Sequence, residues 1–373
     1  MLTPFDDYPI HQTPEPLAHP GSGDRNAYDR YFFNGYDRDG GFFFAAAMGC
    51  YPNRQVIDAA FSIVRDGRQR SVFASGRVPL DRTKTTIGPI TVDVVEPMRT
   101  LRLSVTAANA GVEADVTFRA RTVAVEEPRF RMLSGSQLVS DYTRLAQWGT
   151  WEGTLRVDGA EVPVDPAAVL GCRDRSWGVR PVGEPAGGAP SQQMPQYFWL
   201  WAPLNFDDHC THLALNDDGE GNRWYESSAR IDLLESQSAP TFGVSGAVEH
   251  MRSAEVDIEW EPGTRRARRA TLTLAPWRAE PAVITLEPLL TFQMKGIGYF
   301  HPEWAHGVWR GETAEGSDSW ILDEIDPLGL PNIHVQQLCR ATVDGRRGVG
   351  VLEQLAIGPH PPTGLTGLLD GAS

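Results

Sequence analysis

The stretch Arg30-Tyr-Phe-Phe-Asn-Gly-Tyr-Asp-Arg-Asp-Gly-Gly-Phe-Phe-Phe-Ala-Ala-Ala-Met48 decides how the chain is read. Two aromatic-rich runs flank Asp39-Gly40-Gly41, where glycine supplies the positive φ that primed hairpin turns need, so the stretch predicts two antiparallel strands. Working outward, short alternating runs bounded by Gly, Pro, Asp and Asn recur along almost the whole length, while helical periodicity is scarce. Further strands are predicted over 90–95, 101–107, 112–120, 149–157 and, after an Asp158-Gly159 turn, 161–164. Beyond them come 196–203, 212–216, 222–231, 254–260, 268–274, 282–288, 298–300, 306–312 and 349–354. A single helix is predicted, over 136–148.

The chain is all-β by this pattern, and its 373 residues suggest about two domains. The Pro- and Gly-rich run 181–195 reads as a linker, which divides the chain into residues 1–185 and 186–373. Alternation does not separate sandwiches from barrels. The aromatic load, with 11 Trp, favours barrels, because a barrel that encloses a cavity needs large side chains to line it.

The formal charge is −14, and the only basic cluster is Arg265-Arg266-Ala267-Arg268-Arg269, which argues against nucleic acid and anionic membranes as partners. The opening Met1-Leu-Thr-Pro-Phe-Asp-Asp lacks the basic and apolar regions of a secretory signal, and no run has the length of a membrane span. A cytoplasmic protein without an integral membrane segment is expected. Four dispersed cysteines with no Cys-x-x-Cys fit reduced thiols. Gly-x-Gly-x-x-Gly, Walker, Gly-x-Ser-x-Gly and His-Glu-x-x-His patterns are absent, so no cofactor and no metal are expected.

Chemistry concentrates in three places. In Gly171-Cys-Arg-Asp-Arg-Ser-Trp-Gly-Val-Arg180, a strand would put Arg173, Arg175 and Trp177 on one face and Asp174 and Ser176 on the other. Asp174 in an apolar setting would have a raised pKa and serve as a general acid; paired with Arg173 or Arg180 it would be structural. In Tyr299-Phe-His-Pro-Glu-Trp-Ala-His-Gly-Val-Trp309, His301 and His306 suit acid–base work with Glu303 orienting one of them, and Tyr299, Trp304 and Trp309 suit cavity walls. In Tyr197-Phe-Trp-Leu-Trp201, alternation puts Tyr197 and Trp199 on one face, able to line a cavity, whereas His209-x-x-His212 reads as a turn with exposed imidazoles. Gln147-Trp148-Gly-Thr-Trp151 reads as core.

The Arg173-Asp-Arg-Ser-Trp-Gly178 segment, with Arg30-Tyr-Phe-Phe-Asn34 and the 296–309 segment, resembles the lipocalin-like superfamily of carotenoid 1,2-hydratases, kievitone hydratase and fungal pericyclase-type cyclases, and its AttH-like bacterial branch most of all. The resemblance implies two consecutive calycin-like β-barrels with a ligand cavity in or between them. It also implies an acid-initiated reaction on an apolar substrate, with Asp174 as the proton donor and Trp177 as its aromatic partner. One departure opposes that role: where the carotenoid hydratases carry His after the Asp, this chain has Arg175, and a cation beside Asp174 would lower its pKa.

The reading that results is a cofactor-independent hydratase or dehydratase acting on a hydrophobic terpenoid, steroid or aromatic compound. Cyclisation, isomerisation or C–C fragmentation at the same site, and a non-catalytic carrier of an apolar ligand, are the alternatives. The expected partner is a small apolar or aromatic substrate, with a homodimer left open.

Overall fold

A computed structural model describes residues 1–185, 187, 189 and 195–373. Two large antiparallel sheets account for the chain. The first runs in the order Arg68–Arg77, Val56–Arg65, Phe43–Tyr51, Ala27–Asp37, Val169–Val179, Gln137–Val157, Val112–Ala120, Thr100–Ala107, Ile90–Glu96, Thr86–Ile87. It curls until its ends meet: Gly88, just past its last strand, has space for no more than a contact distance to Ala74 and Glu315 at the other end. The second sheet runs from Val248–His250 and Arg223–Asp232 through His209–Asp217, Tyr197–Trp201, Arg346–Ile357, Val335–Val343, Ala282–Gln293 and Ala267–Ala275 to Ser253–Trp260. Its ends also approach, since Met251 N donates to Ser228 O at 2.9 Å and Arg223 Nη1 to Ala254 O at 2.9 Å. The all-β expectation and its two nearly closed barrels are therefore correct.

Three large apolar bodies, with a small fourth around Tyr28, Tyr51, Val56 and Val182, hold this together. One fills the first barrel (Phe33, Phe44, Phe61, Phe118, Trp151), one fills the second (Phe198, Leu213, Leu215, Leu272, Leu352), and the third forms a seam between the sheets (Phe32, Tyr36, Phe130, Trp148, Trp199, Trp201). The strand Ala27–Asp37 shows how one sequence serves two of them. Phe33 goes into the barrel and Phe32 into the seam, so both faces are buried and the polar half of the alternation disappears. The first barrel is packed solid around Trp151, whose ring meets Phe33, Phe44 and Phe118 edge-on and donates Nε1–H to Asn34 O at 2.9 Å. Gly171 makes room for it: a Cβ there would sit 2.1 Å from Asn34 O and 2.5 Å from the Trp151 nitrogen.

Several expectations change. The helix predicted over 136–148 is the first part of the 21-residue strand Gln137–Val157, which pairs with Val169–Val179 on one side and Val112–Ala120 on the other. The segments 298–300 and 306–312 are turns and loop, following the short 3-10 turn Met294–Ile297. His209 and His212 are buried within a strand of the second sheet rather than exposed in a turn. Residues 186, 188 and 190–194 of the predicted linker lie outside the described residues. The strand Thr313–Ile321 pairs with Arg68–Arg77, so the second half of the chain contributes an edge strand to the first sheet. Among the described residues no helix is long and apolar enough to cross a membrane.

Candidate functional site

Strand alternation at Val169–Val179 does what the residue pattern predicts. Arg173 and Arg175 lie on the barrel side: Arg173 packs over Phe118 and donates to Gln147, while Arg175 pairs with Asp29 and lies 4.0 Å over the Tyr31 ring. Asp174 occupies the other face, facing the seam, with Phe32 and Ala146 as its neighbours on the flanking strands. The cation that would have quenched an acid at Asp174 is therefore on the far side of the sheet. Trp177 is separated from Asp174 for the same reason. It lines a groove of about 390 Å³ with Tyr31 and Arg175 at the barrel end.

Among the described residues Asp174 makes no ion pair or hydrogen bond, although part of its surface remains accessible. Burial pushes its pKa up from 3.8 to about 6; the Arg144 and Arg30 guanidinium groups pull the other way, and the Glu127 and Glu353 carboxylates add to the rise. The same partial accessibility within an enclosed setting marks Tyr142, Arg144, Tyr197 and Tyr299, all facing the seam. Together with Asp174 they form the half-buried part of the seam.

Two other carboxylates share this layer and behave in the opposite way. Glu127 accepts hydrogen bonds from Arg144 Nε (2.8 Å) and Tyr225 Oη (2.8 Å), with His212 Nε2 3.4 Å away. Glu353 accepts from His334 Nε2 (2.9 Å), Trp199 Nε1 (3.1 Å) and Gln336 Nε2 (2.6 Å). Burial alone would raise both, yet the partners outweigh it and hold each below the ordinary carboxylate range. Arg144 lies 4.8 Å over the Trp199 ring and 5.9 Å over Trp201, which ties the first sheet to the second.

His334 follows from this arrangement. An ionised Glu353 can only accept, so His334 donates through Nε2, and its Nδ1 has no partner among the described residues. Its ring stands edge-on to Tyr299 at 4.6 Å.

His306 is placed differently from the expectation of an acid–base group. Its Nε2 reaches Ile297 O at 2.7 Å and its Nδ1 meets Arg180 Nη2 at 3.0 Å, so both ring nitrogens are engaged. Burial, Arg30 and Arg180 push its pKa well down, so it is neutral. It stands behind Arg30, which donates to Tyr299 Oη at 2.6 Å, and so it supports the wall of the seam. His301 is the pivot of the loop: Nδ1 accepts from Glu303 N and Trp304 N, and Nε2 meets Asp318 at 2.8 Å. Trp304 stacks on Phe73 at 5.6 Å. Glu303 is exposed and paired with Arg310, and Trp309 is exposed beneath Arg77.

Of the residues singled out in the sequence, the structure brings Asp174, Tyr197, Trp199 and Tyr299 together on the seam. It sets His301, His306 and Trp304 in its supporting wall, and it leaves Glu303, Trp177 and Trp309 outside. Sequence reasoning missed Arg30, Glu127, Tyr142, Arg144, His334 and Glu353. The usable signal was a charge within an apolar run, as at Glu353 in Val349-Gly-Val-Leu-Glu-Gln-Leu355.

The architecture has relatives among solved structures. An AttH protein of Nitrosomonas europaea superposes with a TM-score of 0.51 at 12% identity, covering 90% of this chain and 94% of that one. Kievitone hydratase of Nectria haematococca superposes at 0.50 with 14% identity and 88% coverage of both chains. The protein CghA gives 0.46 at 10% identity, with 90% coverage of both. The chain thus shares its overall fold with the AttH and kievitone hydratase structures. No curated protein sequence matches the chain. A family pattern does, over nearly the full length: the chain belongs to a family of unknown function, DUF8625, which it matches across residues 2–366.

Proposed function

We propose that the protein is a lyase of the hydratase or dehydratase type, acting in the seam on an alkene or the corresponding alcohol of a hydrophobic terpenoid, steroid or aromatic compound. The observation that carries this reading is Asp174, an unpaired, partly accessible carboxyl near pKa 6 among aromatic walls. The kievitone hydratase likeness of fold supports the reaction class.

In the hydration direction Asp174 gives its proton to one alkene carbon, and the π pair becomes the new C–H bond. The adjacent carbon becomes cationic, facing Tyr142, Tyr197, Trp199 and Tyr299, whose ring faces attract positive charge. Water adds to that carbon. His334 Nδ1 accepts the proton the water loses, and Glu353 stabilises the imidazolium so formed. Solvent reprotonates Asp174 and deprotonates His334. Dehydration runs the same steps backwards, and the scheme uses only side chains and water.

The test is turnover of Asp174→Asn on an accepted alkene or tertiary alcohol, followed by mass detection of water gain or loss. A fall of about 10²- to 10⁴-fold in kcat is expected. Retained activity sinks Asp174 as the acid, and tight binding without product by the wild type would instead establish a carrier.

A further inference from the structure

A groove of about 390 Å³ lies at the end of the first barrel, between the strand ends and the N-terminal segment 12–22, and its volume is within the range usual for small-molecule sites. Strand pairing sets its floor: Trp177, Asp29 and Cys50 lie side by side across three strands, with Arg175 and Tyr31 in the next row. The N-terminal segment is held over these strands at two points. Ala18 O accepts from Arg82 Nη2 at 3.0 Å, and Ser22 O from Asn53 Nδ2 at 2.8 Å. Trp177 leaves a large apolar ring open to the groove, 42% exposed, and Leu17, Pro20 and Pro52 extend the apolar lining.

Two guanidinium groups border the same space and differ in how they are neutralised. Arg175 pairs with Asp29 and lies over Tyr31. Arg82 is half-buried and donates to the neutral carbonyls of Pro79 (3.1 Å) and Ala18 (3.0 Å), and among the described residues it makes no ion pair. The adjacent Asp81 is turned to Thr83, accepting from its N at 3.0 Å and its Oγ1 at 2.6 Å. Glu15, the other carboxylate bordering the groove, is exposed and makes no ion pair among the described residues either. Burial and Asp29 push the Cys50 thiol up to about 12, while Arg82 and Arg175 both pull against them. The thiol stays protonated, a neutral wall beside two cations.

We infer that the groove is a second ligand site, separate from the seam, that takes a small aromatic carboxylate. Its ring lies against Trp177, and its carboxylate meets the Arg82 guanidinium, whose remaining N–H groups can donate in the paired geometry that carboxylates favour. A neutral aromatic compound would leave Arg82 without a counter-charge, and an aliphatic acid would forgo the contact with the indole face. The strand Val169–Val179 carries both sites on opposite faces, with Asp174 toward the seam and Arg175 and Trp177 toward the groove.

The experiment is calorimetric titration of the whole protein with 2-naphthoate and with 2-naphthamide, which has the same ring and no charge. Naphthoate should bind about tenfold tighter, because a charged acceptor strengthens the hydrogen bonds from Arg82. In Arg82→Gln that preference should fall to about twofold or less. In Trp177→Ala both probes should weaken about tenfold with the preference kept, and truncating so exposed a ring leaves the packed barrel intact. Asp174→Asn should leave both affinities within about twofold of the wild type. Binding of neither probe, equal affinities, a preference kept in Arg82→Gln, or affinities unchanged in Trp177→Ala would overturn the inference. A loss of binding in Asp174→Asn would put the probes in the seam and overturn it as well.

Discussion

Asp174 and Glu353 look into the same seam from opposite sheets, carry the same functional group and are both enclosed, yet their pKa values move in opposite directions. Glu353 has three donors on its two oxygens, and Glu127 beside it has Arg144 and Tyr225. Asp174 has none among the described residues. The contrast shows that burial raises a carboxyl's pKa unless its partners outweigh it, as those of Glu353 and Glu127 do. Their proximity strengthens the contrast, because two fixed negative charges nearby raise the cost of ionising the third group.

The sharpest way to break that contrast is to remove a partnered carboxylate. Glu127→Gln leaves the Arg144 guanidinium buried beside two indoles without its counter-charge, and destabilisation by about 3–5 kcal/mol is expected in urea unfolding. A loss below 1 kcal/mol would show that Glu127 is not the anionic pole described here. The next effect is on pH. In the hydration direction the protonated form of Asp174 is the active one, so kcat/KM should fall tenfold per unit above about pH 6, near a hundredfold by pH 8. Asp58 is also pushed up to about 6 by burial, but it accepts from Gly307 N and Tyr51 and anchors the loop. Asp58→Asn should therefore leave the descending limb in place, and a limb that vanishes there reassigns the titration. The smallest effect concerns Arg175, on the reverse of the strand. Arg175→Ala should change kcat/KM by less than about threefold, and a larger change would mean that its charge reaches Asp174 through the sheet.

Much of this was legible in the residues. Hairpin glycines and alternating runs gave the β architecture, and the period of two correctly separated Asp174 from Arg173, Arg175 and Trp177. The reading lost accuracy where strands are buried on both faces. In 137–148, apolar residues at 138, 142 and 145 mimic a helical stripe, and pairing on both edges, with Phe130–Ser134 and Val169–Val179, leaves most of the segment half-buried without the alternation that marks a strand. The 298–312 region misled in another way. Its rings pack as in a strand, yet its backbone N–H groups are taken by His301 and Asp58 rather than by a neighbouring chain. Glu127, Arg144, His334 and Glu353 formed no motif because they meet only when the two sheets close on one another, and no spacing along the chain encodes that.

The strand Thr313–Ile321 has a consequence for biosynthesis. Until the ribosome has passed residue 321, the strand Arg68–Arg77 remains an open edge with unpaired amides, exposed to pairing with other nascent chains. The first barrel is finished only after most of the second has emerged, so the two halves mature together and the seam that carries Asp174 is among the last parts of the molecule to assemble.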